Sequence, residues 1–384
     1  MPVNSGLADI SNDFLLTAVV IYALAMLAYA CDFAYGKKKL PALRAAKAST
    51  AVAKASTAVA AEPAPDEVAL VGAKSTATAG GIPSTVGTPS AVGTPPTGGG
   101  AGAASGDSPS GDAAGSGLRG AIKGVPHRES VGRWVTIAVV LTSLGLAAHL
   151  SGVVLRGLSV HRLPWGDMYE FVTALTCVAV AFFLGVMIRY RAYYLGLFVM
   201  AAVVLVLGLA ETVIYTPAGP LVPALQSYWL AIHVTAMTLA TGVFFVAAVI
   251  GIAYLFVDRH ARRVAAGRPT GSDGILRRLP RPEVLDRLAY RTVVFGFPIW
   301  TFGVMAGAIW ADRAWGSYWS WDPTETWAFI TWVVYACFLH ARATAGWRGR
   351  RAAYIQLAGF ACLLFNVLVI SLLVPGLHSY AGLT

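Results

Sequence analysis

Five of the chain's 11 tryptophans fall between Trp310 and Trp327, at positions 310, 315, 319, 321 and 327 of the run W-A-D-R-A-W-G-S-Y-W-S-W-D-P-T-E-T-W. Asp312, Arg313, Tyr318, Asp322 and Glu325 share this run, and long apolar stretches border it on both sides. Two uses fit such a loop. One is an aromatic belt, since Trp and Tyr gather at the headgroup level of membrane proteins. The other is a platform for a flat, apolar, conjugated ligand. A belt takes one or two aromatics per helix end, and six in one stretch, interleaved with small residues, favour the platform. The same stretch also opens a helix: Asp322 is a good N-cap, Pro323 suits the first helical position, and Glu325 completes a capping-box spacing. Those three residues have a structural role without any ligand. The tryptophans upstream of the cap do not.

A membrane must position this loop. The chain has 384 residues, of which 57% are hydrophobic and 12% charged, which predicts an all-α, polytopic membrane protein. Apolar runs lie at about 13–35, 134–155, 168–188, 193–214, 228–257, 291–310, 326–342 and 353–374, giving about eight transmembrane helices. Residues 1–35 read as an N-terminal transmembrane anchor, because Lys37, Lys38 and Lys39 follow the apolar run rather than precede it, unlike a signal peptide. Residues 36–130 are almost wholly Ala, Gly, Ser, Thr, Pro and Val, with a tandem K-A-S-T-A-V-A at 47–53 and 54–60. Such a segment cannot bury a core and reads as a disordered cytoplasmic linker. Residues 131–384 then form a seven-helix membrane domain.

The net charge of +10 raises a nucleic-acid reading, which its distribution excludes. With sides alternating from the first lysine cluster, 26 of the 29 Lys and Arg fall on one side, and only Arg156, Arg162 and Arg313 fall opposite. The basic residues are topology signals that mark the cytoplasm. The tryptophan loop and both termini are therefore extracytoplasmic. The four cysteines (31, 177, 337, 362) lie in apolar runs without a C-x-x-C pair, against thiol redox work. No C-x-x-C-H is present either, so the chain is not itself a c-type cytochrome.

Position sorts the seven histidines. His127, His161 and His260 lie in loops and read as solvated. The other four lie in or at the ends of spans, where an ionisable side chain is costly and a functional candidate by default. His233 is near the outer end of the fifth span and His378 just beyond the outer end of the eighth, three residues past Pro375. Both stand at the level of the tryptophan loop. Two neutral imidazoles facing each other across an aromatic shelf are what bis-axial ligation of haem iron requires. The alternative for each is an interfacial histidine bonded to water or a carbonyl. His340 sits about 14 residues into the seventh span, or ~21 Å, in the inner half of the bilayer. His149 lies only ~8 Å below the outer surface, too far in depth to share an iron with His340, and reads as a packing or hydrogen-bonded histidine. In the short outer loop L-P-W-G-D-M-Y-E-F, Asp167 and Glu170 read as a capped helix start.

The run W-G-S-Y-W-S-W-D-P-T-E-T-W resembles the tryptophan-rich WWD signature of haem-handling proteins of cytochrome c maturation. Trp315, Gly316, Trp319, Trp321, Asp322, Pro323, Glu325 and Trp327 fall in register with it. Thr324 departs from it, standing where many relatives carry Lys. The resemblance covers roughly residues 130–384 and is to the CcsA/ResC type. It implies external histidine ligands at His233 and His378 and a transmembrane haem ligand at His340. It also implies a place for the P-x-x-x-M-Y-E segment in support of the outer site. The implied function is in cytochrome c biogenesis: binding haem b in the membrane, exporting it, and presenting it for attachment to the CxxCH of an apocytochrome c. The implied partners are apocytochrome c and a ResB-type membrane subunit, with which the chain forms a cytochrome c synthase. The implied location is a bacterial plasma membrane or a thylakoid-type membrane. Arg313 is the one cation within the motif and a candidate for a haem propionate. A haem-delivery protein passing haem to a carrier, and a secondary transporter with an aromatic belt and no haem, remain as alternatives.

Overall fold

Apolar runs of this length must satisfy every backbone N–H and C=O internally in lipid, so they fold as helices. The computed structural model describes residues 3–35, 132–220, 226–267, 276 and 278–378. The expected linker at 36–130, its tandem repeat and His127 lie outside the described residues. Among the described residues there are helices and no strands, as the composition predicts. Eight long helices follow in order: α1 (Ser5–Tyr35), α2 (Arg133–Ser159), α3 (Met168–Tyr190), α4 (Gly196–Val213), α5 (Tyr228–Ala265), α6 (Pro282–Trp315), α7 (Pro323–Ala343) and α8 (Arg350–Phe365). α8 continues through a π-helical turn, Asn366–Ile370, into the short Ser371–Leu373.

Seven of these helices are long and apolar enough to cross a membrane, and α7 is the exception. Its 21 residues include Glu325, Trp327, Trp332, Tyr335 and His340, which lower its hydropathy, yet it packs against both α6 and α8. Of the eight expected spans, seven therefore qualify by length and composition. α5 and α6 run well past the apolar stretches read from sequence, to Ala265 and back to Pro282. Hydropathy marks the part of a helix in hydrocarbon, while backbone hydrogen bonding carries the helix on into water.

Two tight helix pairs organise the bundle, and each relies on small residues that let backbones approach. α1 lies along α2, where Tyr22 covers Gly145 and Leu15 covers Gly152; a Cβ at either glycine would come within 3 Å of those side chains. α5 lies along α6, where Gly296, Gly303 and Gly307 face Phe244, Met237 and His233. The second pair positions His233, because the space left by Gly307 is filled by its imidazole. Large apolar side chains such as Leu24, Val140, Leu205 and Phe302 point outward, as expected of lipid-facing surfaces.

Candidate functional site: two histidines about Trp310

His233 lies in the second turn of α5, whose N-terminus is capped by the Ser227 side chain accepting from Trp229 N–H at 3.3 Å. Its Nδ1 stands 2.8 Å from the Gly303 carbonyl of α6. A carbonyl only accepts, so Nδ1 carries the proton and Nε2 carries the lone pair. The Trp310 indole, one turn further up α6 from Gly307, stacks on this imidazole with centroids 6.0 Å apart and planes 13° from parallel. Trp310 is 2% exposed, with Leu230, Trp229, Val234 and Trp315 around it.

His378 reaches the same indole from the other side of the sequence. Its ring meets Trp310 edge-on at 5.8 Å and Trp315 edge-on at 5.5 Å, and the two indoles contact each other at 4.8 Å. Asp322 holds it there. The Asp322 carboxylate accepts from His378 Nδ1–H at 2.9 Å and from Leu377 N–H at 2.6 Å, while also capping α7 at Thr324 N–H, 3.0 Å. Gly376 permits this approach, since a Cβ there would lie 2.5 Å from Asp322 Oδ1. Burial pushes the Asp322 carboxyl up, but the donors from His378, Leu377 and Thr324 outweigh it and hold the group below the usual carboxylate range. Glu325 completes the capping box and also accepts from Ser320 N–H at 2.9 Å, which folds the tryptophan loop back onto the helix start.

Both histidines thus have Nδ1 committed to an acceptor, one a carbonyl and one a carboxylate. This is the arrangement in which metal-binding imidazoles are ordinarily held, with Nε2 as the ligating nitrogen. Two cavities, of about 140 and 90 Å³, flank the group, and His233, Met237, Trp310, Thr324, Asn366 and His378 line both. Their walls hold buried polar atoms without a partner: the indole nitrogens of Trp165 and Trp315 and the Asn366 Oδ1. Buried donors and acceptors of this kind are ordinarily satisfied, so those lining the two cavities are openings for a polar ligand edge.

The other residues singled out in the sequence divide. Trp315 and Trp319 line the smaller cavity together with Glu325 and Tyr318. Gly316 caps α6 at φ 76°, donating to the Asp312 carbonyl, and so turns the chain into the loop. Trp321 also has a positive φ of 58° and is 69% exposed, making an edge contact with Trp319. Pro323 is the first residue of α7, and Trp327 packs on Phe365 of α8 at 4.4 Å, away from both cavities. Arg313 lines neither cavity; its guanidinium stands over the Tyr228 ring at 5.3 Å. His340 is exposed in the last turn of α7, 17 residues or ~26 Å along the helix from Pro323, and does not join the group about Trp310. His149 is fully buried, with Nδ1 3.3 Å from the Tyr22 hydroxyl.

Several members of the site are not among the residues expected to hold the ligand. Trp310 belongs to the tryptophan-rich run but lies inside α6, and it is the residue both imidazoles touch. Asn366 interrupts an apolar span, a costly place for an amide, which is the signal that marks it. Trp165 and Asp167 bring the 162–170 turn to the larger cavity as its third wall. That turn is stiffened by a buried ion cluster: Glu170 accepts from Arg156 Nε–H at 3.2 Å and from Arg162 at 2.7 Å. Arg156 and Arg162 are therefore structural ion-pair partners of Glu170. Asp167 caps α3 through Glu170 N–H, and burial, reinforced by the neighbouring Glu170 charge, raises its carboxyl above the usual range.

Comparison with known proteins fits this geometry. Residues 165–378, which run from Trp165 to His378, match the family described as cytochrome C assembly protein. The chain is also 32% identical over 314 residues to the cytochrome c biogenesis protein CcsA of Gloeobacter violaceus, covering 70% of this chain and 91% of that one. The chain belongs to the cytochrome c assembly protein family. Within it the chain is of the CcsA type, as the tryptophan motif suggests: the CcsA of Mesostigma viride is 35% identical over 269 residues, covering 65% of this chain and 86% of that one. The matched span includes every helix from α3 to α8, with His233 and His378. Among solved structures, one of "Cytochrome c Heme Lyase CcmF" aligns at 19% identity with a TM-score of 0.46, over 63% of this chain and 42% of that one.

Proposed function

We propose that this protein works in cytochrome c biogenesis by holding haem at the outer end of the bundle, with His233 and His378 as axial ligands of the iron. The observation that supports this reading is the pair of committed Nδ1 atoms. Gly303 and Asp322 fix both tautomers so that each Nε2 presents a lone pair beside one shared indole. Neutral imidazoles on both sides of the iron favour a six-coordinate, low-spin haem. Trp315 and Trp319 supply apolar surface for the porphyrin, and the unpartnered Trp165 and Trp315 indoles supply donors for its carboxylate edge.

The cavities are smaller than the roughly 300 Å³ at which small-molecule pockets begin. Trp310 fills the space between the imidazoles, so admitting a tetrapyrrole requires this indole to turn aside. The chemistry served is addition of two apocytochrome thiols across the two vinyl groups. Each S–H adds to a C=C bond, sulfur to one carbon and hydrogen to the other, with no net oxidation. The described outer segments are short, so gripping the apocytochrome falls to a ResB-type partner with a large external domain. His340, exposed toward the outside of the bundle at the other end, suits a second haem shared with a histidine of that partner. The basic helix ends at 259–291 and 342–351 orient the tryptophan loop away from the cytoplasm.

The test is assembly in cells. His233→Ala and His378→Ala should each abolish c-type cytochrome formation, and exogenous imidazole should partly restore it by filling the vacant position. Full assembly in both variants without imidazole would remove the ligand role.

A further inference from the structure

At the end of the bundle opposite the tryptophan loop, α5 and the start of α8 line a groove of about 610 Å³ that shares no residue with the site about Trp310. Its walls have a graded composition. Nearer the middle of the bundle, Ile252, Phe256 and Tyr354 present exposed apolar and aromatic surface. Beyond Phe256 along α5, Arg259, Arg262 and Arg263 close the groove, joined by Arg350 from α8. Ile252 to Arg263 is 11 residues, or ~16 Å along the axis, so the apolar wall and the cationic end form one continuous stripe.

The arginines are not equivalent. Asp258 takes Arg262 at 2.9 Å and lies 3.9 Å from Arg350, anchoring both to the rim. Arg259 and Arg263 have no ion pair among the described residues. They stand one turn apart on the same helix face, an i,i+4 like-charge pair that repels unless an anion lies between. One carboxylate against four guanidiniums leaves the groove strongly positive.

We propose that this groove binds an anionic phospholipid of the adjoining leaflet, the phosphodiester between Arg259 and Arg263 and an acyl chain along Ile252, Phe256 and Tyr354. Basic recesses between transmembrane helices recognise such headgroups by charge-assisted contacts. A free phosphate would leave the exposed apolar wall without a purpose. A haem would find no histidine, methionine or cysteine among the lining residues, and the Tyr354 phenol as the one candidate iron ligand there. The inference rests on the chain's being a membrane protein and not on the outer haem site, so the two can fail separately.

The experiment uses the full chain purified in a neutral detergent and depleted of lipid. Thermal unfolding and bound lipid by mass spectrometry are followed on adding dioleoyl-phosphatidylglycerol, dioleoyl-phosphatidylcholine, or inorganic phosphate. The phosphatidylglycerol should raise the midpoint and be retained, with the other two having little effect. Arg259→Gln with Arg263→Gln should weaken retention roughly tenfold, while Arg259→Lys with Arg263→Lys keeps most of it. Both positions are exposed on a helix, and Gln and Lys are good helix formers, so neither variant threatens the fold. Equal retention of both lipids, an equal rise with phosphate alone, or full retention by the Gln variant would each overturn the proposal.

Discussion

Asp322→Asn changes one atom and should separate the two roles of this residue. In the native site its carboxylate serves three donors: Leu377 N–H on Oδ1, and His378 Nδ1–H and Thr324 N–H on Oδ2. Asparagine caps a helix as well as aspartate does, so α7 should keep its start. An amide, however, has only one accepting oxygen. Turned one way, its NH2 faces Leu377 N–H alone, which keeps the cap but repels the backbone beside His378. Turned the other, it faces both His378 Nδ1–H and Thr324 N–H, which gives up the cap and is relieved at the histidine when His378 moves its proton to Nε2. That takes the lone pair away from the iron. Loss of such a supporting acceptor costs metal affinity about 10- to 100-fold, or about 1.4 to 2.8 kcal/mol. Asp322→Ala should lose this and also about 0.5–2 kcal/mol of helix capping. Titrating haem into the lipid-embedded protein, with absorbance and thermal unfolding read together, distinguishes the cases. An Asn variant with native haem affinity and native spectrum would refute the tautomer argument.

Gly307→Ala should empty the outer site with α6 intact, because the new Cβ would lie 2.6 Å from His233 Cε1 and 2.7 Å from Nδ1; a native Soret amplitude in circular-dichroism-verified protein would contradict the packing. Asp167→Asn should make the protein more stable than the parent at neutral pH. The native carboxyl is raised, so the unfolded chain releases its proton first as pH rises past about 4 and the folded state loses stability until its own group ionises; the advantage of Asn should vanish in acid, and thermal midpoints across pH 4–8 check it. The Asp322 carboxyl is depressed, so its contribution is fully present above the usual carboxylate value and is lost only as pH falls below it, through the folded-state pKa. His340→Ala should leave the outer site's spectrum unchanged while lowering total haem in the complex with a ResB-type partner; equal haem content in that complex would remove the inner site.

Some of this was legible in the residues alone. The helices announce themselves by long apolar runs, and the cap at Asp322, Pro323 and Glu325 follows from local chemistry that needs no tertiary context. His233 and His378 could be paired by level because apolar spans fix depth. What the sequence does not carry is lateral placement. Nothing in Gly303 or Gly307 says which helix they face, and only the α5–α6 packing turns one into an acceptor and the other into room for an imidazole. Trp310 stands out in the tryptophan run, but depth and composition do not distinguish a buried indole from a belt residue. Arg156 and Arg162 read as outer-loop charges, since only the fold brings Glu170 between them. The bounds of α5 and α6 were read too short for a different reason: their last turns are held by backbone bonds in water, where hydropathy is blind.

The central claim is that His233 and His378 hold one haem iron between them. Its most direct test is electron paramagnetic resonance, with absorbance, of haem-loaded protein in a His340→Ala background, which removes the other candidate ligand. The account predicts a low-spin, six-coordinate spectrum that becomes high-spin in either His233→Ala or His378→Ala and returns to low-spin when imidazole is added. A low-spin spectrum that persists in both single variants without imidazole would contradict it.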